Sequence, residues 1–246
     1  MSPWQTPEAP SGVRWRFTGR TGGVSQGRYA ELNLGQHVGD DRAAVRRNRA
    51  LLAQSLEIPP DRVAAIDAAH GNNTALVHEG GTVGQVDGLV TRERNLGLLA
   101  LGADCATVAL ADPEAQVIGA VHSGWRGVAA DVVGSTVRKM ESEGANPDQM
   151  VAVIGPAICP GCYEVSEEVR NTVASSVAAA AAETRIGTPA VDLQTGIAAQ
   201  LREVGIMRYF TDPTCTFESE QLFSYRRDGE TGRHGMLIAL TETSHE

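Results

Sequence analysis

An Asp-Cys pair, Asp104-Cys105, opens one apolar run, and His122 closes the next, 17 positions after the cysteine. Between them lie TVALADP, with a turn at Asp112-Pro113, and then VIGAVH. That alternation around a proline-containing turn reads as two strands. A thiol and an imidazole are therefore expected on neighbouring strand ends. His70, in the string AHGN, is expected in a turn between two further strands, and loops carry functional side chains more often than cores do. Two imidazoles and one thiolate can form a three-ligand zinc centre with its fourth position open. Such a centre lowers the pKa of a water held there toward neutrality. The same residues can act without metal, with Cys105 as nucleophile and His122 or His70 as base. Taken singly, a buried cysteine or a strand-end histidine is usually packing.

His122 is followed by a Gly-Trp-Arg-Gly string, residues 124–127. A glycine loop opening a helix presents backbone N–H groups, and Arg126 adds a cation. Gly124, Arg126 and Gly127 are thus candidates for holding an anion such as phosphate. Arg226, Arg227 and Arg233, in the loop FSYRRDGETGRHG, can assist, and Arg227 is taken as the second candidate.

Rival constellations are weaker. Cys159-Pro-Gly-Cys162 is half of a zinc knuckle or a redox dithiol, but no second CxxC and no thioredoxin-like context accompany it. It reads as structural. The zinc deaminase signature lacks its upstream H-x-E. The glycine-rich segment near residue 22 lacks the strand and helix of a P-loop. Neither a serine-hydrolase elbow nor a dinucleotide fingerprint is expected.

These residues need elements to position them. Strands are expected at 13–18, 62–66, 151–154, 207–211 and 236–240. Helices are expected from the Asp40-Asp41 cap to about 56, over 128–140, from Ser166 through the alanine run to about 183, and from Asp192 to about 204. On the first of these, Arg46, Arg47 and Arg49 read as a solvated face. His78 reads as structural or surface. Strands and helices alternate without a strict βαβ rhythm, which predicts an α+β fold with mixed sheets. One catalytic domain over 1–246, with its core at about 13–241, is expected.

The chain has 246 residues, 42% hydrophobic and 21% charged, with a net charge of −9. That balance describes a soluble globular protein and excludes a broad nucleic-acid surface. The start of the chain lacks a basic segment followed by an apolar core, and no apolar run is long enough to span a bilayer. A cytoplasmic location without membrane contact, and four unpaired cysteines, follow as expectations.

The ordered set GGVSQG, LNLGQHVGDD, AHGN, DGLVT, GADC, AVHSGWRG, IGPAICPGCYEV and FSYRRDGETGR resembles the YfiH family, over about residues 18–240. Its members were first described as multicopper polyphenol oxidases or laccase-domain proteins, and later as purine nucleoside phosphorylases. The resemblance implies a single-domain α/β/β/α sandwich of mixed sheets, akin to a cysteine-hydrolase fold. It implies zinc on His70, Cys105 and His122. It also implies phosphorolysis of adenosine, inosine and methylthioadenosine, and hydrolytic deamination of adenosine; separately, a monomer or weak homodimer is expected. Ala68 and Ala69 stand where the family usually has Gln-Val, and Thr107 where it often has Pro. Copper ranks below zinc, since Cys105, the one cysteine of that constellation, and the chain's six His fall short of a multicopper ligand set. A metal-free Cys-His hydrolase and a peptidoglycan-editing factor remain the alternatives.

Overall fold

A computed structural model describes residues 7–241. The expectations about the chain start and the 1–246 domain bounds also include residues outside the described ones. In chain order the elements are β1 (Val13–Phe17), α1 (Arg42–Gln54), β2 (Val63–Asp67), β3 (Thr74–Leu76), β4 (Gly81–Gly84), β5 (Gly88–Thr91), β6 (Gly97–Gly102), β7 (Ala106–Asp112), β8 (Val117–Ser123), α2 (Trp125–Ala129) and α3 (Val132–Ser142). Then follow β9 (Val151–Ile154), α4 (Glu167–Ser176), β10 (Ala181–Glu183), β11 (Pro189–Val191), α5 (Leu193–Glu203), β12 (Arg208–Thr211), α6 (Tyr225–Asp228) and β13 (His234–Leu240).

Two mixed sheets carry the fold. One has the order β1-β13-β6-β2-β4, the other β12-β9-β7-β8-β5-β3. Strand alternation explains how β5, β6, β7, β8 and β13 are buried on both faces, while the edge strands β3, β4 and β12 are partly exposed. In β6, Leu98 and Ala100 enter the core between the sheets, while Leu99 and Leu101 pack outward beneath α1. In β7, Ala109 and Ala111 face the other sheet, while Val108 and Leu110 face the helical layer. The helical layer covers the six-stranded sheet with residues such as Val128, Val133, Val173 and Ile197. The layers are therefore helix, sheet, sheet, helix, as the family resemblance implies. Among the described residues, no helix is long and apolar enough to cross a membrane.

The helix starts are local. Asp41, Ser166 and Asp192 each accept a backbone N–H three residues on, at 2.7, 3.2 and 3.0 Å. Two expected helices are corrected. The span expected at 128–140 breaks at Asp131, whose φ of 58° ends α2 and whose carboxylate caps α3 through the Gly134 N–H. After α4 ends at Ser176, the alanine run forms a 3-10 turn at Ala178–Ala180 and only its last two residues enter strand β10, paired to β11. Tertiary packing overrides alanine's helix preference there. A Cβ at Gly196 of α5 would meet Ala180 at 2.9 Å, so the two segments are in close contact. Arg49 also departs from the solvated face: its Nε donates to the Leu34 carbonyl at 2.8 Å, and burial pushes its pKa down to about 10.

The core between the sheets holds the crossing segments that carry the site. Leu98→Ala, at a fully buried position there, should cost about 2–5 kcal/mol. Urea unfolding measures this; a loss below about 1 kcal/mol would show that the site's scaffold does not depend on that layer.

Candidate functional site

The chain passes between the two sheets repeatedly, and the site is built from those passages. His70 lies between β2 and β3, Asp87 between β4 and β5, Cys105 between β6 and β7, and Arg226 between β12 and β13. In each case the first strand belongs to the five-stranded sheet or the second does, so each segment crosses the sandwich. His122 is the exception, sitting within β8 opposite Thr107 of β7.

Donor atoms of His70, Cys105 and His122 lie within 4.8 Å of one another. The imidazoles meet edge to face, with centroids 4.9 Å apart and planes at 78°. Asp87, fully buried, organises both. Its Oδ1 accepts from His122 Nδ1 at 2.9 Å and from the His70 N–H at 3.0 Å. Its Oδ2 accepts from the Gly71 N–H at 2.7 Å, and its carbonyl accepts from the His122 N–H at 2.8 Å. Locking Nδ1 leaves the other ring nitrogen of His122 for chemistry, the arrangement usual at metal-bound histidines. The donor set and this carboxylate support therefore fit a tetrahedral N/S cation such as zinc.

Backbone geometry at the site is strained. His70 has φ of 58° and Asp104 has φ of 109°, each costing on the order of 1–3 kcal/mol. Asp87 holds the first. For the second, the Asp104 carboxylate accepts from Thr216 Oγ1 at 2.6 Å, Ser224 Oγ at 2.7 Å and the Arg226 N–H at 2.7 Å. Burial pushes the Asp104 pKa up, and those donors offset it only in part.

Charge separates within the cluster. Burial alone would raise the Cys105 thiol; the facing His122 charge and hydrogen bonds from both histidines reverse this and bring it down to about 6. Burial alone would lower His122; the Cys105 thiolate and Asp87 raise it to about 9. Without metal, the pair is a thiolate and an imidazolium at neutral pH. A cation binding there displaces a proton from His122.

A cavity of about 400 Å³ opens over the cluster. Ile66, Ala68, Leu101 and Ala103 give it apolar wall, and Tyr163 and Tyr225 add aromatic rings. His37, Asp67, Arg226 and Arg233 supply polar groups. Burial and the Arg233 charge lower the His37 pKa. The Arg226 guanidinium lies 5.1 Å from the Tyr163 ring and donates to the Glu164 carbonyl at 2.7 Å.

The structure thus brings His70, Cys105 and His122 together. It does not bring Arg126 or Arg227 to the cavity lining. Arg126 stacks on Trp125, with 4.3 Å to the ring centroid. Arg227 is committed to structure: NH1 donates to the carbonyls of Thr216, Phe217 and Ser219, and NH2 to that of Leu222. The Gly-Trp-Arg-Gly string is not a loop but the start of α2. That helix has five residues, too few for a substantial aligned dipole. Gly124 has a different use: a Cβ there would stand 2.7 Å from Cys105 Sγ. Gly127 packs near Val132 and Ser123. His78 pairs with Glu93 at 3.0 Å on the surface.

The sequence does contain one G-x-S-x-G string, residues 23–27. It is no nucleophile elbow. Ser25 is buried, donates to Asp40 Oδ2 at 2.6 Å and accepts from Asn48 Nδ2 at 2.9 Å. Sequence reasoning missed Asp87, His37 and Tyr163. The string VDGLVT signals Asp87, an acid directly ahead of an apolar strand; nothing local signals the other two.

A two-sheet sandwich with a thiolate–imidazole cluster at its crossing segments defines the class: a mixed α/β protein with a metal-competent site. Residues 14–241 match the family described as multi-copper polyphenol oxidoreductase laccase, and the chain belongs to that family. A protein of Streptomyces coelicolor named purine nucleoside phosphorylase is 48% identical, over 91% of this chain and 93% of that one. A protein of the same name from Pseudomonas aeruginosa is 34% identical, over 98% and 100%. The crystal structure of YlmD from Geobacillus stearothermophilus superposes with a TM-score of 0.89 at 33% identity, covering 96% of this chain and 98% of that chain. YfiH of Bacillus licheniformis gives 0.86 at 29% identity, over 93% of each.

Two outcomes follow from this geometry. In chelator-stripped protein, iodoacetamide labelling of Cys105 should rise with pH through about 6 and level off above it, because the thiolate forms there. A midpoint near the ordinary thiol value, about 8.5, would contradict the ion pair. Asp87→Asn should weaken zinc affinity by about 10- to 100-fold, with circular dichroism unchanged. Unchanged affinity would show that Asp87 does not orient His122.

Proposed function

We propose that this chain is a purine nucleoside phosphorylase with zinc held by His70, Cys105 and His122. The observation that carries the reading is the convergence of these three side chains at a cavity of about 400 Å³, a volume suited to a small ligand. The names of the relatives supply the substrate class. We propose adenosine, inosine and methylthioadenosine as substrates, with adenosine deamination as a second activity of the same cavity.

The roles follow from the lining. Tyr163 and Tyr225 offer faces on which a purine can stack. Ala68, small and cavity-facing, leaves room beside the base. Arg233 and Arg226 line the cavity and are the cations we assign to inorganic phosphate, Arg233 through NH2, since its NH1 donates to the Thr231 and Gly232 carbonyls at 3.0 Å; Arg126 stacks on Trp125 outside the lining. In phosphorolysis a phosphate oxygen bonds to the sugar C1′ as the bond to the base N9 breaks, giving ribose 1-phosphate and the base. His37, whose pKa burial lowers, can exchange a proton with the departing base. Bound zinc would act as a Lewis acid and activate water, which suits deamination at the purine ring. Asp87 keeps His122 oriented throughout.

A second reading has one specific observation in its favour. Cys105, His122 and Asp87 form a chain of contacts like that of a Cys-His-Asp hydrolase, and the thiolate is already formed near neutrality. A peptidoglycan-editing role would use the same residues. The copper phenol oxidase reading ranks last, because one thiolate and two imidazoles cannot ligate several coppers.

Adenine release from adenosine should require inorganic phosphate. Arg233→Ala should lower kcat/KM for phosphate about 10- to 100-fold, the range for losing a charged hydrogen bond. Arg126→Ala should have the smaller effect. Equal base release in phosphate-free buffer would make the protein a hydrolase, and a larger effect at Arg126 would return the phosphate site to the Gly-Trp-Arg-Gly segment.

A further inference from the structure

A second sulfur cluster lies outside the cavity. Donor atoms of Cys159, Cys162, Cys215 and Glu218 fall within 4.8 Å of one another. The CPGC turn supplies two thiols, closed by the Cys162 N–H donating to the Cys159 carbonyl at 3.0 Å. The third arrives from far along the chain, through the parallel bridge of Ala157 with Cys215. The Thr216 N–H donates to the Ala157 carbonyl at 3.1 Å, which fixes that approach. All these thiols are free.

The surroundings are those of sulfur ligands. The Cys159 N–H donates to Cys215 Sγ at 3.3 Å. Arg185 NH1 donates to Cys162 Sγ at 3.4 Å, and NH2 lies 4.0 Å from Cys159 Sγ while pairing with Glu218. Burial raises the Cys159 and Cys162 thiols, Arg185 opposes this at Cys162, and donors aimed at sulfur orient it toward a cation that would displace the thiol protons. In a tetrahedral zinc site with bonds of about 2.3 Å, sulfurs stand about 3.8 Å apart, within reach of small side-chain rotations here. Three soft donors select zinc or a similar ion over magnesium or calcium. Three thiolates and one carboxylate around a divalent ion leave a charge of −2, and Arg185 offsets one unit of it.

We propose that Cys159, Cys162, Cys215 and Glu218 form a second, structural zinc site, separate from the His70–Cys105–His122 cluster. Its effect is to clamp the CPGC turn to the segment that follows β12. Tyr163, directly after Cys162, lines the cavity, so the clamp fixes one wall of it. The reading of the CxxC as merely structural lacked the third thiol and the carboxylate, which sequence spacing does not join.

Cobalt tests this independently of any activity. Full-length Cys105→Ser protein, reduced and stripped of metal, should bind one Co²⁺ per chain with tetrahedral d–d bands and intense sulfur-to-cobalt charge transfer. The first cluster has no thiolate in this protein, so that signal reports only the second. Adding Cys159→Ser and Cys162→Ser should abolish it, with circular dichroism unchanged. In the protein with its natural cysteines, Zn²⁺ should slow alkylation of Cys159 and Cys162 at least tenfold. Absence of thiolate–cobalt absorption in Cys105→Ser protein would overturn the proposal. So would isolation of a Cys159–Cys162 disulfide whose reduced thiols take up no cobalt and alkylate equally fast with zinc present.

Discussion

One buried carboxylate holds the site together. Asp87 has no solvent exposure, yet it remains ionised below the usual carboxylate range; burial opposes this, and His122 with the Gly71 and His70 N–H groups overcomes it. Those same contacts do three jobs. They fix which nitrogen of His122 is free, they hold His70 in a left-handed conformation, and they join β5 to β8 at the end of the sheet. In the metal-free protein, removing the carboxylate would leave the His122 imidazolium with the Cys105 thiolate alone, and losing one partner of a buried charge costs up to about 3–5 kcal/mol. The strain at His70 would then have nothing to support it.

The rest of the fold explains why these groups meet. A two-sheet sandwich forces the chain to cross its own edge, and irregular crossings are where polar side chains can be presented without breaking a strand ladder. Cys105 and His70 ride on such crossings, while His122 sits on a rigid strand between them. Asp104 ties the Cys105 crossing to the Arg226 crossing through Ser224 and Thr216. The cavity is thus walled by segments drawn from both sheets, and packing between the sheets sets its shape.

Much of this was legible in the chain itself. The β7 and β8 alternation, the Asp-Cys pair and the strand-end His122 predicted Cys105 and His122 as neighbours, whereas His70 joined them through the family resemblance; side-chain caps predicted helix starts at Asp41, Ser166 and Asp192. What failed had physical causes. The alanine run left the helix for a 3-10 turn and then β10, where Ala180 packs closely on α5 and the β10–β11 pairing outweighs propensity. The helix expected over 128–140 was divided at Asp131, whose left-handed backbone carries no warning in composition. Arg227 looked like a phosphate ligand because its type fits, but four backbone carbonyls in a tight loop claim it. Cys215 and Asp87 were invisible as partners, since each joins its cluster through long-range pairing.

The proposed centre holds zinc on two imidazoles and one thiolate. X-ray absorption at the zinc edge of Cys159→Ser, Cys162→Ser protein examines that centre alone. The predicted first shell has one sulfur at about 2.3 Å and two imidazole nitrogens at about 2.0–2.1 Å. A shell without sulfur, or a metal-free protein of full activity that iodoacetamide inactivates at Cys105, would contradict it.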